Sequence, residues 1–258
     1  MGDWGDVAKD ISEWISVYAN DNGLVALVVG VSGGVDSAVT STLSAMTGMR
    51  TIVVNMPIHQ DESQFGLSNL HIEWLLSNWA NVEKVNFDLS STYDEFCSEL
   101  DGQDLSELSL ANSRARLRMA ALYAIAGSNQ GIVVGTGNKV EDFGIGFFTK
   151  YGDGGVDISP IADLYKSDVY AMGEEMGVNR EILEAEPTDG LWNDGRTDEE
   201  QIGATYEEIE WAMKESGSPS RKDLSDREKV VMEIYQSLNQ ANSHKMRPIP
   251  IFKFYSDD

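Results

Sequence analysis

Leu24-Val25-Ala26-Leu27-Val28-Val29-Gly30-Val31, followed at once by Ser32-Gly33-Gly34-Val35-Asp36-Ser37, decides how this chain is read. The first stretch is nearly unbroken in apolar, β-branched side chains, which describes a strand buried on both faces, and such strands belong to parallel sheets. The adjacent glycines let the backbone turn without Cβ clashes, so successive N–H groups can converge on an anion. The helix expected from near Asp36 adds the partial positive charge of its N-terminus. Ser32 and Ser37 bring hydroxyl donors to the same turn. An ordinary strand-to-helix turn with an Asp or Ser cap would account for the glycines and Asp36, but not for both serines. Other phosphate loops do not fit. There is no G-x-x-x-x-G-K-[ST], and Gly135-Thr136-Gly137 runs on to Val140 where G-x-G-x-x-G needs glycine.

Outward from this stretch, Val7, Ile11, Trp14, Ile15 and Tyr18 recur at helical spacing before the breaker Asp21-Asn22-Gly23. On the other side, the β-branched runs 51–56 and 82–89 alternate with helical patterns over 36–48 and 62–79. A long helix is expected over 106–126, carrying Arg114, Arg116 and Arg118, and then a strand over 131–135. This alternation predicts an α/β fold, a doubly wound parallel sheet with helices on both faces. From Gly137 to Ile161 glycine, aspartate and aromatics prevail, which reads as active-site loops. Helical patterns resume over 166–176, 206–214 and 226–239, interrupted from Pro187 to Gly195.

The 258 residues suit a single domain, 1–258, able to bury its core without covalent staples. Cys97 is the lone cysteine, expected as a small buried hydrophobe, and His59, His71 and His244 lack zinc spacing. No basic-then-apolar leader opens the chain and no apolar run reaches the roughly 18 residues of a membrane span. A cytoplasmic protein with no membrane partner is expected. The net charge of -24, from 43 acidic and 19 basic residues, argues against nucleic acid as a partner and requires that any anionic substrate meet a local cationic pocket.

The string Ser32-Gly33-Gly34-Val35-Asp36-Ser37 resembles the signature of the N-type ATP pyrophosphatases, which split ATP into AMP and pyrophosphate and share an adenine nucleotide alpha-hydrolase-like fold. The segments 135–141 and 146–157 narrow this, because they are similar to the core of the ammonia-dependent NAD synthetases. Asn112-Ser113-Arg114-Ala115-Arg116, Asp163-Leu164-Tyr165-Lys166, Glu186-Pro187-Thr188 and Ser243-His244-Lys245 fall where that family has its other motifs. The resemblance implies a ligase of NAD biosynthesis that amidates deamido-NAD with ammonia through an acyl adenylate, with ATP as co-substrate, Mg²⁺ as cofactor and a homodimer as the assembly.

Carried over by position, the resemblance implies ATP contacts from Gly30, Ser32, Gly33, Gly34, Val35, Asp36, Ser37, Thr136, Lys166 and Thr188, with Asp36 and Glu141 as metal carboxylates. It implies deamido-NAD contacts from Asn112, Arg116, Phe147, Lys150, Asp153, Asp157, His244 and Lys245. Asp153, Lys166 and Thr188 are the catalytic candidates, with Asp153 the candidate base because ammonium, which predominates at neutral pH, must shed a proton before it can attack. Between Glu141 and Phe147 the chain carries one residue more than the commonest family spacing.

Each residue also has a plainer reading. Arg116 could be a solvated helix arginine, Phe147-Phe148 core, Asp153 a turn residue between glycines, and His244 a surface histidine. Lys166 beginning a helix opposes the helix dipole, which favours an anion-binding role. A GMP synthetase-like amidating ligase shares the 32–37 string but lacks the 150–157 pattern, and a tRNA thiolase would need reactive cysteines and a basic face. A non-catalytic nucleotide-binding module is the alternative from another class. Glutamine-dependent relatives carry an amidase domain with a catalytic cysteine, for which only Cys97 is at hand, so free ammonia is the expected nitrogen donor.

Overall fold

The apolar run after Leu24 forms β1 (Ala26–Gly30), whose first four residues are fully buried. In the computed structural model, which describes residues 3–60, 62–188, 197–217 and 223–254, β1 pairs in parallel with β2 (Arg50–Asn55) on one side and β4 (Gly131–Val133) on the other. β2 pairs in parallel with β3 (Val82–Asn86), giving the order β3-β2-β1-β4. The helices are α1 (Trp4–Asp21), α2 (Val35–Met46), α3 (Glu62–Asn78), α4 (Ser90–Glu99) and α5 (Glu107–Ser128), then, after a π-helix (Lys139–Ile145), α6 (Lys166–Glu175) and α7 (Arg180–Leu183). The chain continues through α8 (Asp198–Ile202), α9 (Tyr206–Gly217) and α10 (Asp226–Met246).

Alternation along β1 sends its side chains to opposite faces. Leu27 and Val29 pack with Ile15, Val39, Leu43 and Met172 of α1, α2 and α6, whereas Ala26 and Val28 pack with Leu122, Ile125 and Ala126 of α5. The sheet is therefore covered on both faces, the doubly wound arrangement expected. α2 is buried almost all round, and three of its hydroxyls bond back into their own helix. Ser41 Oγ donates to Ser37 O at 2.7 Å, Thr42 Oγ1 to Ala38 O at 2.7 Å and Ser44 Oγ to Thr40 O at 2.9 Å.

Several boundaries differ from the sequence expectation. β3 ends at Asn86 although Phe87 N and Leu89 N still donate to Asn55 O at 3.2 Å and Pro57 O at 2.9 Å, because Pro57 has no N–H with which to return the ladder. β4 ends at Val133, after which Gly135 N donates to Ile158 O at 2.7 Å and the chain forms a single parallel bridge, Val134 with Ile158. The stretch 137–161 is not all loop, since it holds the π-helix. α10 runs past Asn239 to Met246, tied to the π-helix by Asn239 Nδ2 donating to Gly144 O and Asn242 Nδ2 to Ile145 O, both at 2.8 Å. α7 and α8 were not anticipated, and most of the interruption read from Pro187 to Gly195 lies outside the described residues.

β1 lies between β2 and β4, so the chain leaves it first toward one edge of the sheet and returns on the other side. Loops after β1 and β4 diverge at this point and open a crevice at the carboxyl ends of the strands, the usual ligand position in open α/β sheets.

Candidate active site

The turn after β1 is built for close backbone approach. Gly33 has φ +99, and a Cβ there would lie 2.9 Å from both Gln64 O and Ser68 N, so only glycine fits. Ser37 Oγ donates to Gly34 O at 2.9 Å and accepts from Ser32 N and Ser32 Oγ, each at 3.2 Å. The two serines thus brace the turn against itself. Among the described residues no side chain caps the N-terminus of α2 at Gly34, which leaves its amides for another acceptor.

Asp36, in the first turn of α2, turns instead to partners across the crevice. Its Oδ1 accepts from Asn138 Nδ2 at 3.0 Å and its Oδ2 from Lys166 Nζ at 2.5 Å. Asn138 is fully buried and works in both directions, because its Oδ1 also accepts from Val140 N at 3.0 Å and Glu141 N at 3.1 Å, capping the π-helix. The π-helix holds Glu141 facing Lys166. The π-helix ends on Gly146 at φ 65, where a Cβ would meet Asn242 Cβ at 2.4 Å.

Lys166 Nζ lies 2.9 Å from Glu141 Oε1, and Tyr206 Oη donates to the same oxygen at 2.7 Å. Burial opposes the charge on Lys166, but the carboxylates of Asp36 and Glu141 outweigh it and hold the ammonium above the ordinary lysine range. The start of α6 is fixed from α9. Glu210, itself buried, accepts from Ser167 N at 2.9 Å and Ser167 Oγ at 2.7 Å, setting a negative charge at the helix N-terminus where Lys166 would otherwise be unfavourable.

These groups open into one cavity of about 550 Å³, lined by the 30–37 turn, by Thr136, Glu141, Lys166 and Thr188, and by Phe147, Asp153 and Lys245. Arg118, held by burial at about 10, donates to Met56 O at 2.9 Å on its wall. Asp153 accepts from Thr149 N at 3.0 Å, and its dense surroundings raise its carboxyl above the usual range. A family model described as NAD synthase matches residues 7–249. The chain belongs to the NAD synthase family.

Within and around that family, the chain is 38% identical over 244 residues to the NH(3)-dependent NAD(+) synthetase of Alkaliphilus metalliredigens, covering 92% of this chain and 94% of that one. It is 32% identical over 261 residues to the protein of the same name from Methanosarcina acetivorans, covering 98% and 100%. Among solved structures, the NMN synthetase of Francisella tularensis superposes with a TM-score of 0.88 at 30% identity, covering 98% and 100%.

The structure divides the residues that the sequence suggests as deamido-NAD contacts. Asn112, Phe147, Asp153 and Lys245 line the cavity. Arg116, Lys150 and His244 form a linked group outside its lining, in which Arg116 Nε donates to Lys150 O at 3.4 Å and Lys150 Nζ to His244 O at 3.1 Å. Asp157 is bonded into the fold, accepting from Val133 N at 2.8 Å and Tyr123 Oη at 3.0 Å. Burial and Asp157 push the Tyr123 phenol up to about 12. Asn138, Tyr206 and Glu210 had no role assigned from sequence. Only Asn138 gave a signal, by standing inside the 135–141 motif.

Proposed function

We propose that this member of the NAD synthase family uses ATP to activate the nicotinate carboxylate of deamido-NAD and then amidates it with ammonia, releasing AMP and pyrophosphate. The observation that carries this reading is the single cavity shared by the anion-binding 30–37 turn, the Lys166 cluster and the 147–156 segment. Its relatives named NH(3)-dependent NAD(+) synthetase support the nitrogen donor.

In this reading the uncapped amides of the turn, Lys166 and Thr188 receive the ATP phosphates. The carboxylates of Asp36 and Glu141 are hard oxygen donors converging on a point already taken by an ammonium, which fits magnesium. A magnesium ion held there would screen the charge that gathers on departing pyrophosphate. The substrate carboxylate attacks the α-phosphorus, pyrophosphate leaves, and ammonia displaces AMP from the acyl adenylate. Asp153, which lines the cavity and has a raised carboxyl, takes the proton that ammonium must shed. Asn112, Phe147 and Lys245 hold the nicotinate side, and Arg116, Lys150 and His244 meet the outer part of the dinucleotide.

The same reading takes 1–258 as one domain in the cytoplasm and a homodimer as the assembly. α5 supports the dimer, for Leu108 is 53% and Tyr123 37% exposed on a 22-residue helix whose buried residues are Ala111 and Ala126 alone.

A second acceptor is favoured by one observation, the close superposition on a protein named an NMN synthetase. Under it nicotinate mononucleotide replaces the dinucleotide, with the same chemistry. The deciding assay supplies ATP with deamido-NAD or with nicotinate mononucleotide, each with ammonium, with glutamine and with neither. Amide product from deamido-NAD and ammonium supports the main reading. A strong preference for the mononucleotide replaces it with the second, and product from glutamine alone defeats the assigned nitrogen donor.

A further inference from the structure

Lys166 is a cation already seated between the two carboxylates. It bonds Asp36 Oδ2 at 2.5 Å and Glu141 Oε1 at 2.9 Å. Asn138 takes Asp36 Oδ1 and Tyr206 adds a second donor to Glu141 Oε1. The lysine side chain is 4% exposed against 16% and 17% for its partners, and its ammonium lies 4.8 Å from the centre of the Tyr206 ring. A magnesium ion sits about 2.0–2.1 Å from its oxygen ligands, so it needs the oxygens that the ammonium holds. Two cations cannot share them at that range in a poorly screened site. Nor can the ammonium simply withdraw into solvent, since that would leave two largely buried anions uncompensated. It can leave only for another anion. The 30–37 turn, where triphosphate is proposed to bind, lines the same cavity as Lys166.

We infer that Lys166 is a resident counterion exchanged for the divalent ion only when a nucleoside triphosphate arrives, so the free protein does not take up the metal and the metal enters with the nucleotide. The exchange breaks no covalent bond. The ammonium passes from carboxylate to phosphate, and the divalent ion fills the place it vacates. This inference rests on the proposed metal role of Asp36 and Glu141.

The test follows Mn²⁺ by water-proton relaxation enhancement, which separates protein-bound Mn²⁺ from Mn²⁺ held by nucleotide alone, and by thermal melting, both without turnover. Wild-type protein with Mn²⁺ alone is expected to show neither enhancement nor a shift in Tm, and with Mn²⁺ plus α,β-methylene-ATP to show both. Lys166→Met, which keeps the stem and removes the charge, is expected to bind Mn²⁺ without nucleotide on the order of tenfold or more tightly than wild type. Its Tm should fall below wild type and be raised again by Mn²⁺ alone. Nucleotide-free binding by wild type as tight as in the variant overturns the exchange, and the wild-type arms decide even if the variant does not fold. If Lys166→Met binds Mn²⁺ and the added substitutions Asp36→Asn and Glu141→Gln do not weaken it, the ligand assignment has failed instead, which overturns the reading on which the exchange rests.

Discussion

Asn138 Nδ2 donates to Asp36 Oδ1 over 3.0 Å and so joins the loop after β4 to the turn after β1, across 102 residues of chain. The same side chain caps the π-helix that carries Glu141, through bonds to Val140 N and Glu141 N. One buried carboxamide therefore sets the position of both candidate metal carboxylates. Asn138→Ala would leave two helix amides and one carboxylate oxygen without this partner inside the fold, a loss of about 2–4 kcal/mol. Chemical denaturation should show that loss, and the turnover rate should fall by more than the unfolded fraction explains. Asn138→Asp would preserve the cap but set a second carboxylate against Asp36, and should be at least as damaging to turnover.

Asp36→Ala and Glu141→Ala each remove one of the two anions that hold Lys166, leaving the other in place. Neither side chain belongs to a hydrophobic cluster, so far-UV circular dichroism should be unchanged. Pyrophosphate release in the presence of ATP, deamido-NAD and magnesium should drop to background in both. Near-normal release by either variant would rule out its proposed metal role.

Glu210 predicts a different phenotype because it acts through α6. Its two bonds to Ser167 hold the first turn of the helix on which Lys166 stands. Glu210→Ala should cost about 1–3 kcal/mol, with Glu210→Gln losing less because one acceptor remains. Turnover should fall in the same order, while the KM for ammonium stays close to wild type. An unchanged rate for Glu210→Ala, at full folding, would show that Lys166 does not depend on this brace.

Much of this was legible in the chain. β1 and the 32–37 turn announce themselves by an apolar run that ends abruptly in glycine, and β2 by a β-branched run that stops short of Pro57, signals that need no knowledge of neighbours. The π-helix was not legible. Its i→i+5 geometry leaves no hydrophobic period of its own, and Gly144 and Gly146 inside and beyond it look like loop residues. Tyr206 and Glu210 lie on an ordinary amphipathic helix, and they acquire their roles only because α9 packs beside Glu141 and Ser167. Asp157 shows the converse. Its motif position suggests a substrate contact, whereas proximity to Val133 and Tyr123 gives it hydrogen-bond partners that sequence spacing cannot reveal.

His71 gives a prediction about acid stability that is independent of the active site. It is fully buried on α3, with Nε2 2.9 Å from Ser41 Oγ, its ring stacked on Trp74, and Nδ1 without a hydrogen-bond partner among the described residues. Burial lowers its pKa from 6.5 to about 4, so the imidazole stays neutral in the fold where the unfolded chain would already be protonated. Between those two values the unfolded state binds the extra proton. Stability is therefore intact above pH 6.5, declines as the pH falls toward 4, and loses nothing further from this group below that. At ~1.4 kcal/mol per pH unit the loss amounts to about 3 kcal/mol, a large share of the stability of a typical domain. Urea unfolding at a series of pH values should show this decline in wild type and a shallower one in His71→Gln, which keeps a polar partner for Ser41 but cannot be protonated. Parallel curves for the two proteins from pH 7 down to 4 would mean that His71 is not the group whose protonation destabilises the fold.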